Sequence, residues 1–223
     1  MGTVVITGAN RGIGLALARR FKARGDDVVA VCRRTSPELE ALGVETLDGV
    51  DLSDAEAVRG LPERLGSRRI DVLMLNAGVL GDEALDALDD AALESMRRQF
   101  EINAIAPLHV AAVLQGHLAD GAKVAITTSR MGSIADNGSG GRYGYRMSKA
   151  AVNAAGKSLA NDLRDRGIAV ALLHPGFVQT DMVGGRGDVT AEQAAAGLVA
   201  RVDELTLDTT GSFRHANGES LPW

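Results

Sequence analysis

The sequence predicts an α/β protein built on a doubly wound parallel sheet in a single domain, and three observations carry that expectation. Short β-branched runs alternate with stretches of helical spacing along the whole chain. The strand candidates are continuous apolar runs, as required when helices cover both faces of a parallel sheet. The first of them runs straight into a glycine-rich turn that opens a helix.

Taken in order, "TVVITG" (3–8) is the first strand and a helix follows from Gly12 to about Arg24. Next come "DVVAVCR" (27–33) and "VETLDGVDL" (44–52), then a helix from Ser53, which the pair Ser53 and Glu56 starts as a capping box. "IDVLMLNAG" (70–78) is followed by a long helical region to about Leu118, and "AKVAITTS" (122–129) by a helix from about Tyr143 to Arg166. "IAVALLHPG" (168–176) and a helix from Thr190 to about Glu204 complete the alternation. There is no internal repeat or linker, and the Gly-rich "NGSGG" (137–141) is a loop inside the domain, so residues 1–223 form one unit. In such sheets ligands bind beyond the carboxyl ends of the strands. The loops after Ile6, Val31, Leu75, Thr127 and Leu173 therefore converge on one crevice.

Composition narrows the function classes. The chain carries 24 basic and 29 acidic residues and no run of Lys or Arg, which argues against a nucleic-acid partner or a membrane face. The opening "MGTVVITGA" is too short an apolar run for a signal peptide and no later segment has the length of a membrane span, so a cytoplasmic protein is expected. The one cysteine, Cys32, sits in an apolar setting that suits an ordinary buried thiol. His109, His117, His174 and His215 show no ligand spacing, and no metal site is expected.

The first chemical signal is "TGANRGIG" (7–14). Gly8, Gly12 and Gly14 stand where the chain turns sharply and lets backbone approach a ligand, with Asn10, Arg11 and Ile13 between them. Backbone N–H groups at the start of the following helix suit a diphosphate. A dinucleotide with a free ribose 2′-hydroxyl is usually held by an acid at the end of the second strand, where this chain has Cys32, Arg33 and Arg34 instead. Arg33 and Arg11 offer guanidinium groups to a 2′-phosphate, so NADP(H) is favoured over NAD(H); the alternative is that both are solvated surface charges. Asp51, with Leu52 beside it, has no evident local role and is a candidate for the adenine side.

The second signal is "GRYGYRMSKAAVN" (141–153), which holds both tyrosines of the chain and one of its four lysines. Residues four apart share a helix face, so Tyr145 pairs with Lys149, whereas Tyr143 pairs with Met147. A free phenol has a pKa near 10. An ammonium about 4 Å away, at an effective dielectric near 20, contributes about 4 kcal/mol, roughly three pKa units. Burial of the phenolate returns part of that, and the expected balance is a phenol able to exchange its proton with a carbonyl or an alcohol near working pH.

The set Thr7–Gly14, Asn76-Ala77-Gly78, Asn103, Ser129, Tyr145 and Lys149 resembles the short-chain dehydrogenase/reductase family, in the family's order and over nearly the whole chain. "TTSRMGSIADNGSGGRYGYRMSKAAVN" and the ending "GSFRHANGESLPW" are similar to its C-factor and sniffer-like carbonyl reductases. The resemblance implies a Rossmann fold and an NADPH-dependent reductase of aldehydes or ketones, with an NADP-binding signalling protein as the alternative. It implies that Ser129 hydrogen-bonds the substrate carbonyl, Tyr145 protonates it, and Lys149 lowers the phenol pKa and binds the nicotinamide ribose. Thr128 and Ser133 are neighbours of Ser129, which is preferred because Gly132 follows three residues on. Asn103 corresponds to the family's helix asparagine, which positions a water on the proton path; its other reading is a helix-bending residue upstream of Pro107. Asn76, Ala77 and Gly78 lie against the cofactor ribose or secure the sheet. Pro175 and Gly176 match the family's turn after the sixth strand, Val178 and Thr180 are expected near the carboxamide, and His174 is a strand-end packing residue. The resemblance further implies that the exposed part of the helix at 143–166 pairs subunits into a homodimer or homotetramer, as in many relatives, with a monomer, as in some, as the alternative.

Two features depart from the family pattern. From Met182 to the helix near Thr190 only "VGGRGDV" intervenes, where many members carry a longer lid, so loose selection among small carbonyl or alcohol substrates is expected. The interval from Ser129 to Tyr145 is lengthened by "SIADNGSGGR".

Overall fold

The computed structural model describes residues 2–223. Seven parallel strands form one sheet in the order β3-β2-β1-β4-β5-β6-β7. They are β1 (Thr3–Thr7), β2 (Asp27–Val31), β3 (Glu45–Leu47), β4 (Ile70–Leu75), β5 (Leu118–Thr127), β6 (Ala169–His174) and β7 (Ser212–His215). The order reverses between β1 and β4, and the carboxyl ends of the strands on either side open a crevice there.

Helices cover both faces, which is why the strands are apolar throughout. On one face α1 (Gly12–Ala23) and α8 (Ala191–Glu204) press Leu17, Phe21 and Leu198 onto Val4, Ile6 and Met74. On the other, the short helices α3 (Ala55–Arg59) and α4 (Leu61–Leu65) join α6 (Ala106–Leu114) and α7 (Tyr143–Asp162), and Val58, Val110 and Val152 pack on Val5, Leu73 and Val124. A further short helix, α2 (Pro37–Glu40), lies between β2 and β3, and α5 (Asp90–Phe100) precedes α6. Fully buried leucine or isoleucine side chains each contribute about 1.5–3 kcal/mol; Leu17, Leu73, Leu114 and Ile70 are all without exposure.

Three local departures from the sequence expectation have physical causes. The helix expected from Ser53 starts at Ala55, because Asp54 is its cap and accepts from Glu56 N at 2.9 Å. Ser53 is committed elsewhere: its hydroxyl donates to Asp51 at 2.7 Å and its N–H to the same oxygen at 3.0 Å, so Asp51 does have a local role. Between α5 and α6 the chain widens into a π-helical segment, Glu101–Ile105, centred on Asn103 and followed by Pro107. Such bulges relieve a disrupted hydrogen-bond ladder and are enriched at functional sites. The segment 182–190 is short, as expected, and it is tied down: Asp188 N donates to Phe177 O at 2.7 Å and Gln179 N to Val189 O at 2.9 Å. Gly187, at φ 153, lies so close to Gln179 N that a Cβ there would sit 2.5 Å from it.

Among the described residues no helix is long and apolar enough to cross a membrane.

Candidate active site

The loops beyond β1, β2, β4, β5 and β6 enclose one elongated cavity of about 860 Å³. At one end lies the glycine turn. Gly8 and Gly12 have φ of 67° and 54°, the left-handed region in which glycine carries no steric penalty. A Cβ on Gly14 would collide with the Gly8 carbonyl oxygen, so only glycine lets α1 start this close to β1. The first turn of α1 has neither an acidic residue nor a side-chain cap on its N–H groups, which leaves donors and the positive end of the helix dipole for an anion. Asn10, Arg11 and Ile13 line this end with the glycines, and Arg33, Asp51 and Leu52 line it from β2 and the loop after β3.

Both candidate phosphate-binding arginines are solvent-accessible and hold carboxylates: Arg11 reaches Asp181 at 3.2 Å and Arg33 reaches Asp51 at 3.6 Å. Exposed pairs of this kind contribute at most about 1 kcal/mol and give way readily to a ligand phosphate. Hydrogen bonds from Ser53, and after them the Arg33 charge, hold the Asp51 carboxyl below its usual range.

The middle of the cavity is floored by Asn76, Ala77 and Gly78. The polar groups of Asn76 are spent within the sheet: its N–H donates to Thr7 Oγ1 at 3.0 Å, its amide to Thr7 O at 3.2 Å, and its Oδ1 accepts from Thr127 at 3.3 Å. Asn76 thus ties β1, β4 and β5 together while presenting its edge to the cavity. Asn103, fully buried, does not line the cavity. It brackets Val79, accepting from its N–H at 2.8 Å and donating to its carbonyl at 2.9 Å, and donates to Ser148 at 3.1 Å. It therefore fixes the chain just past Gly78 against α7.

Beyond this floor Ser129, Tyr145 and Lys149 line the cavity, and the segment after β6, Pro175, Gly176, Val178 and Thr180, closes its wall, with Thr180 reaching back against Gly12 of the glycine turn. The Ser129 hydroxyl accepts from Met131 N at 3.1 Å and lines the same end of the cavity as Tyr145. The two rival hydroxyls are turned elsewhere: Thr128 donates to Asn153 at 2.7 Å and Ser133 to the Trp223 carbonyl at 3.1 Å. Lys149, buried, donates to Thr127 O at 2.9 Å and lies 5.7 Å from the centroid of the Tyr145 ring.

The match to the family model for short chain dehydrogenases spans residues 2–201. The chain belongs to this family. It is 42% identical, over the full length of both chains, to 1-hydroxy-2-glutathionyl-2-methyl-3-butene dehydrogenase of Rhodococcus sp. (strain AD45). It is 45% identical to the C-signal of Myxococcus xanthus over 69% of this chain and 93% of that one. Among solved structures, carbonyl reductase Sniffer of D. melanogaster superposes with a TM-score of 0.91 at 27% identity, covering both chains fully. A carbonyl reductase from Pseudomonas aeruginosa PAO1 in complex with NADP does so with a TM-score of 0.85 at 37% identity, again over both chains.

In this short-chain dehydrogenase the electrostatics of the tyrosine differ from the sequence expectation. Burial raises the Tyr145 pKa above its ordinary value and outweighs the pull of the Ser129 hydroxyl and the Arg142 charge. The net lowering expected from Lys149 is therefore not found: burial prevails, with the ammonium held at the Thr127 carbonyl. Lys149 itself is pushed down to about 8 by burial. His174, at the end of β6, packs edge-to-face on His215 at 5.0 Å and is held down to about 3, chiefly by burial, so it stays neutral. Cys32 is buried and its thiol is raised by desolvation, as suits an unreactive packing residue.

Sequence reasoning missed the walls at the reactive end. Val79, Leu80, Met131, Phe177 and Met182 make them largely apolar, and Arg130 and Arg142 bring cations to them, Arg130 paired with Asp136 and Glu219. None carries a local sequence signal; each is brought in by a loop whose path only the fold defines.

Proposed function

We propose that this short-chain dehydrogenase is an NADPH-dependent carbonyl reductase acting on aldehydes or ketones, reversibly with the corresponding alcohols. The observation that carries the proposal is the convergence of a phenol, a hydroxyl and a buried ammonium on the same cavity as an uncapped, glycine-lined helix start. The NADP complex of the P. aeruginosa relative supports the cofactor class. Gly8, Asn10, Arg11, Gly12, Ile13 and Gly14 would hold the diphosphate, Arg33 the 2′-phosphate, and Asp51 and Leu52 the adenine side. Asn76, Ala77, Gly78, Tyr145 and Lys149 would flank the nicotinamide ribose, and Pro175, Gly176, Val178 and Thr180 the carboxamide. When bound, the nicotinamide supplies the hydride.

The chain's own residues do the rest. Ser129 donates to the substrate carbonyl oxygen and orients it, Tyr145 hands that oxygen its proton as charge develops there, and Lys149 stabilises the phenolate left behind. Asn103 is a positioning residue that keeps the floor of the site against α7. The apolar walls exclude water from the reacting carbon, which strengthens each of these interactions. Oxidation of NADPH by a panel of aldehydes, ketones and quinones tests the proposal, with loss of absorbance of the reduced cofactor as readout; no turnover across the panel would count against it.

Cofactor choice has its own test. Arg33→Asp is expected to lower kcat/KM for NADPH by roughly 10- to 100-fold, the value of one charge-assisted contact of about 1.5–3 kcal/mol, and to leave the value for NADH nearly unchanged. An unaltered preference would remove Arg33 from 2′-phosphate recognition.

The likeness to the M. xanthus C-signal favours a second reading, in which cofactor occupancy serves signalling and turnover is incidental. Turnover of every panel member too slow to measure, together with tight NADPH binding, would favour it.

A further inference from the structure

At Arg142 and Met131 the catalytic cavity gives onto a second cleft of about 480 Å³, walled also by Asp82, Glu83, Ser139, Gly140 and Arg146. Two independent observations define its chemistry.

The first is an available cation. Arg146 is half-buried, and its guanidinium is oriented by neutral oxygens alone, Ser139 Oγ at 2.8 Å and Gly140 O at 3.3 Å. Of the two acids in the cleft, Glu83 is already committed. It is 6% exposed, and its carboxylate accepts from Gln99, from Ser95 at 2.9 Å and from Gly144 N at 3.2 Å, which ties it to the start of α7. Asp82 is 84% exposed and holds Arg142 at 2.9 Å, a surface pair worth at most about 1 kcal/mol that an incoming anion can replace.

The second is a backbone held in an unfavourable conformation. Arg142 is the one non-glycine residue with positive φ among those described, at 51°. For a side chain of this kind the left-handed region costs on the order of 1–3 kcal/mol, and such residues gather at functional sites. Its N–H donates to Glu83 O at 2.8 Å, which fixes the turn. The conformation sets the side chain at the boundary of the two cavities, where it faces both. Its charge reaches the reacting phenol from there.

We propose that the second cleft is an anion subsite, and that the enzyme's substrates are elongated carbonyl compounds bearing a carboxylate several atoms from the reacting carbon. Arg142, at the left-handed cap of α7, and Arg146, in its first turn, both line the cleft and grip the carboxylate while the carbonyl oxygen meets Tyr145 and Ser129. Guanidinium forks suit a carboxylate because both its oxygens can be bound at once. This inference rests on the reductase reading for the carbonyl but not for the anion.

Two measurements on the full chain test it. In turnover with NADPH, a formylphenyl-butanoate is compared with its methyl ester. In binding, calorimetry compares the unreactive phenylbutanoate with phenylbutanamide. The wild type is expected to favour each acid by roughly 10- to 100-fold at low salt, one charge-assisted contact, with the preference shrinking as ionic strength rises. Arg146→Gln and Arg142→Asn, the latter because Asn accepts left-handed backbone, should bring the ratios towards one, and Arg146→Lys should keep part of them. Equal binding of acid and amide by the wild type would overturn the subsite whatever the turnover shows. Preferential acid binding without turnover of either aldehyde would uphold the subsite and instead count against the reductase reading.

Discussion

Tyr145→Phe should lower the rate of carbonyl reduction by about 10²- to 10⁴-fold, the usual worth of a positioned general acid, and leave NADPH affinity within about threefold. The substitution keeps the ring and its packing against Lys149 and removes only the phenolic oxygen. Binding groups along the rest of the cavity are untouched. Steady-state kinetics beside a fluorescence titration of the cofactor separates the two effects. Unchanged turnover would exclude Tyr145 as the proton donor, whereas joint loss of turnover and binding would mean that the phenol acts through the cofactor site. The same residue sets a pH dependence with a definite sign. Because burial holds the phenol above its ordinary pKa, it stays protonated through the neutral range, and reduction should run flat there. Alcohol oxidation needs the deprotonated phenol and should climb as the pH is raised.

The layered fold was legible in the sequence because each buried strand is a short apolar run, and the crevice followed from topology alone. What escaped is what local pattern does not encode. Strand β7 is only "SFRH" at the sheet edge, with Phe213 its one buried side chain; alternation that short carries no clear period. The start of α3 was displaced because Ser53 and Asp54 are comparable caps, and the choice between them was made by the hydrogen bonds from Ser53 to Asp51. The candidate catalytic residues stood out because their types are rare here and their spacing is helical. Glu83, by contrast, meets Gln99 and Gly144 across sequence separations of 16 and 61 residues, and Arg11 meets Asp181 across 170. No window along the chain contains such a pair. The direction of the Tyr145 pKa was missed for a related reason: helical spacing shows that a lysine is near, but not how deeply the fold buries the phenol.

Replacing Lys149 by methionine should have two opposite consequences. Turnover should fall by at least about 10²-fold, since the group that stabilises the phenolate is gone. The stability of the cofactor-free protein should change in a way that depends on pH. Burial lowers the Lys149 pKa from 10.5 to about 8, so the unfolded chain binds this proton more tightly than the folded one. Below pH 8 both states carry the charge, and the folded state bears the full cost of burying it. Between about 8 and 10.5 the folded lysine gives up its proton first, and that cost is relieved as the pH rises. A tenfold difference in proton affinity corresponds to about 1.4 kcal/mol, so the relief is large enough to see by denaturant unfolding. The wild type should therefore gain on Lys149→Met across that window, and the difference between the two should level off below pH 7. A constant difference from pH 6 to pH 10 would mean that the ammonium is not desolvated as described. The conservative variant Lys149→Arg sharpens the argument: a guanidinium stays protonated throughout, so it should keep the burial cost at every pH and show no relief.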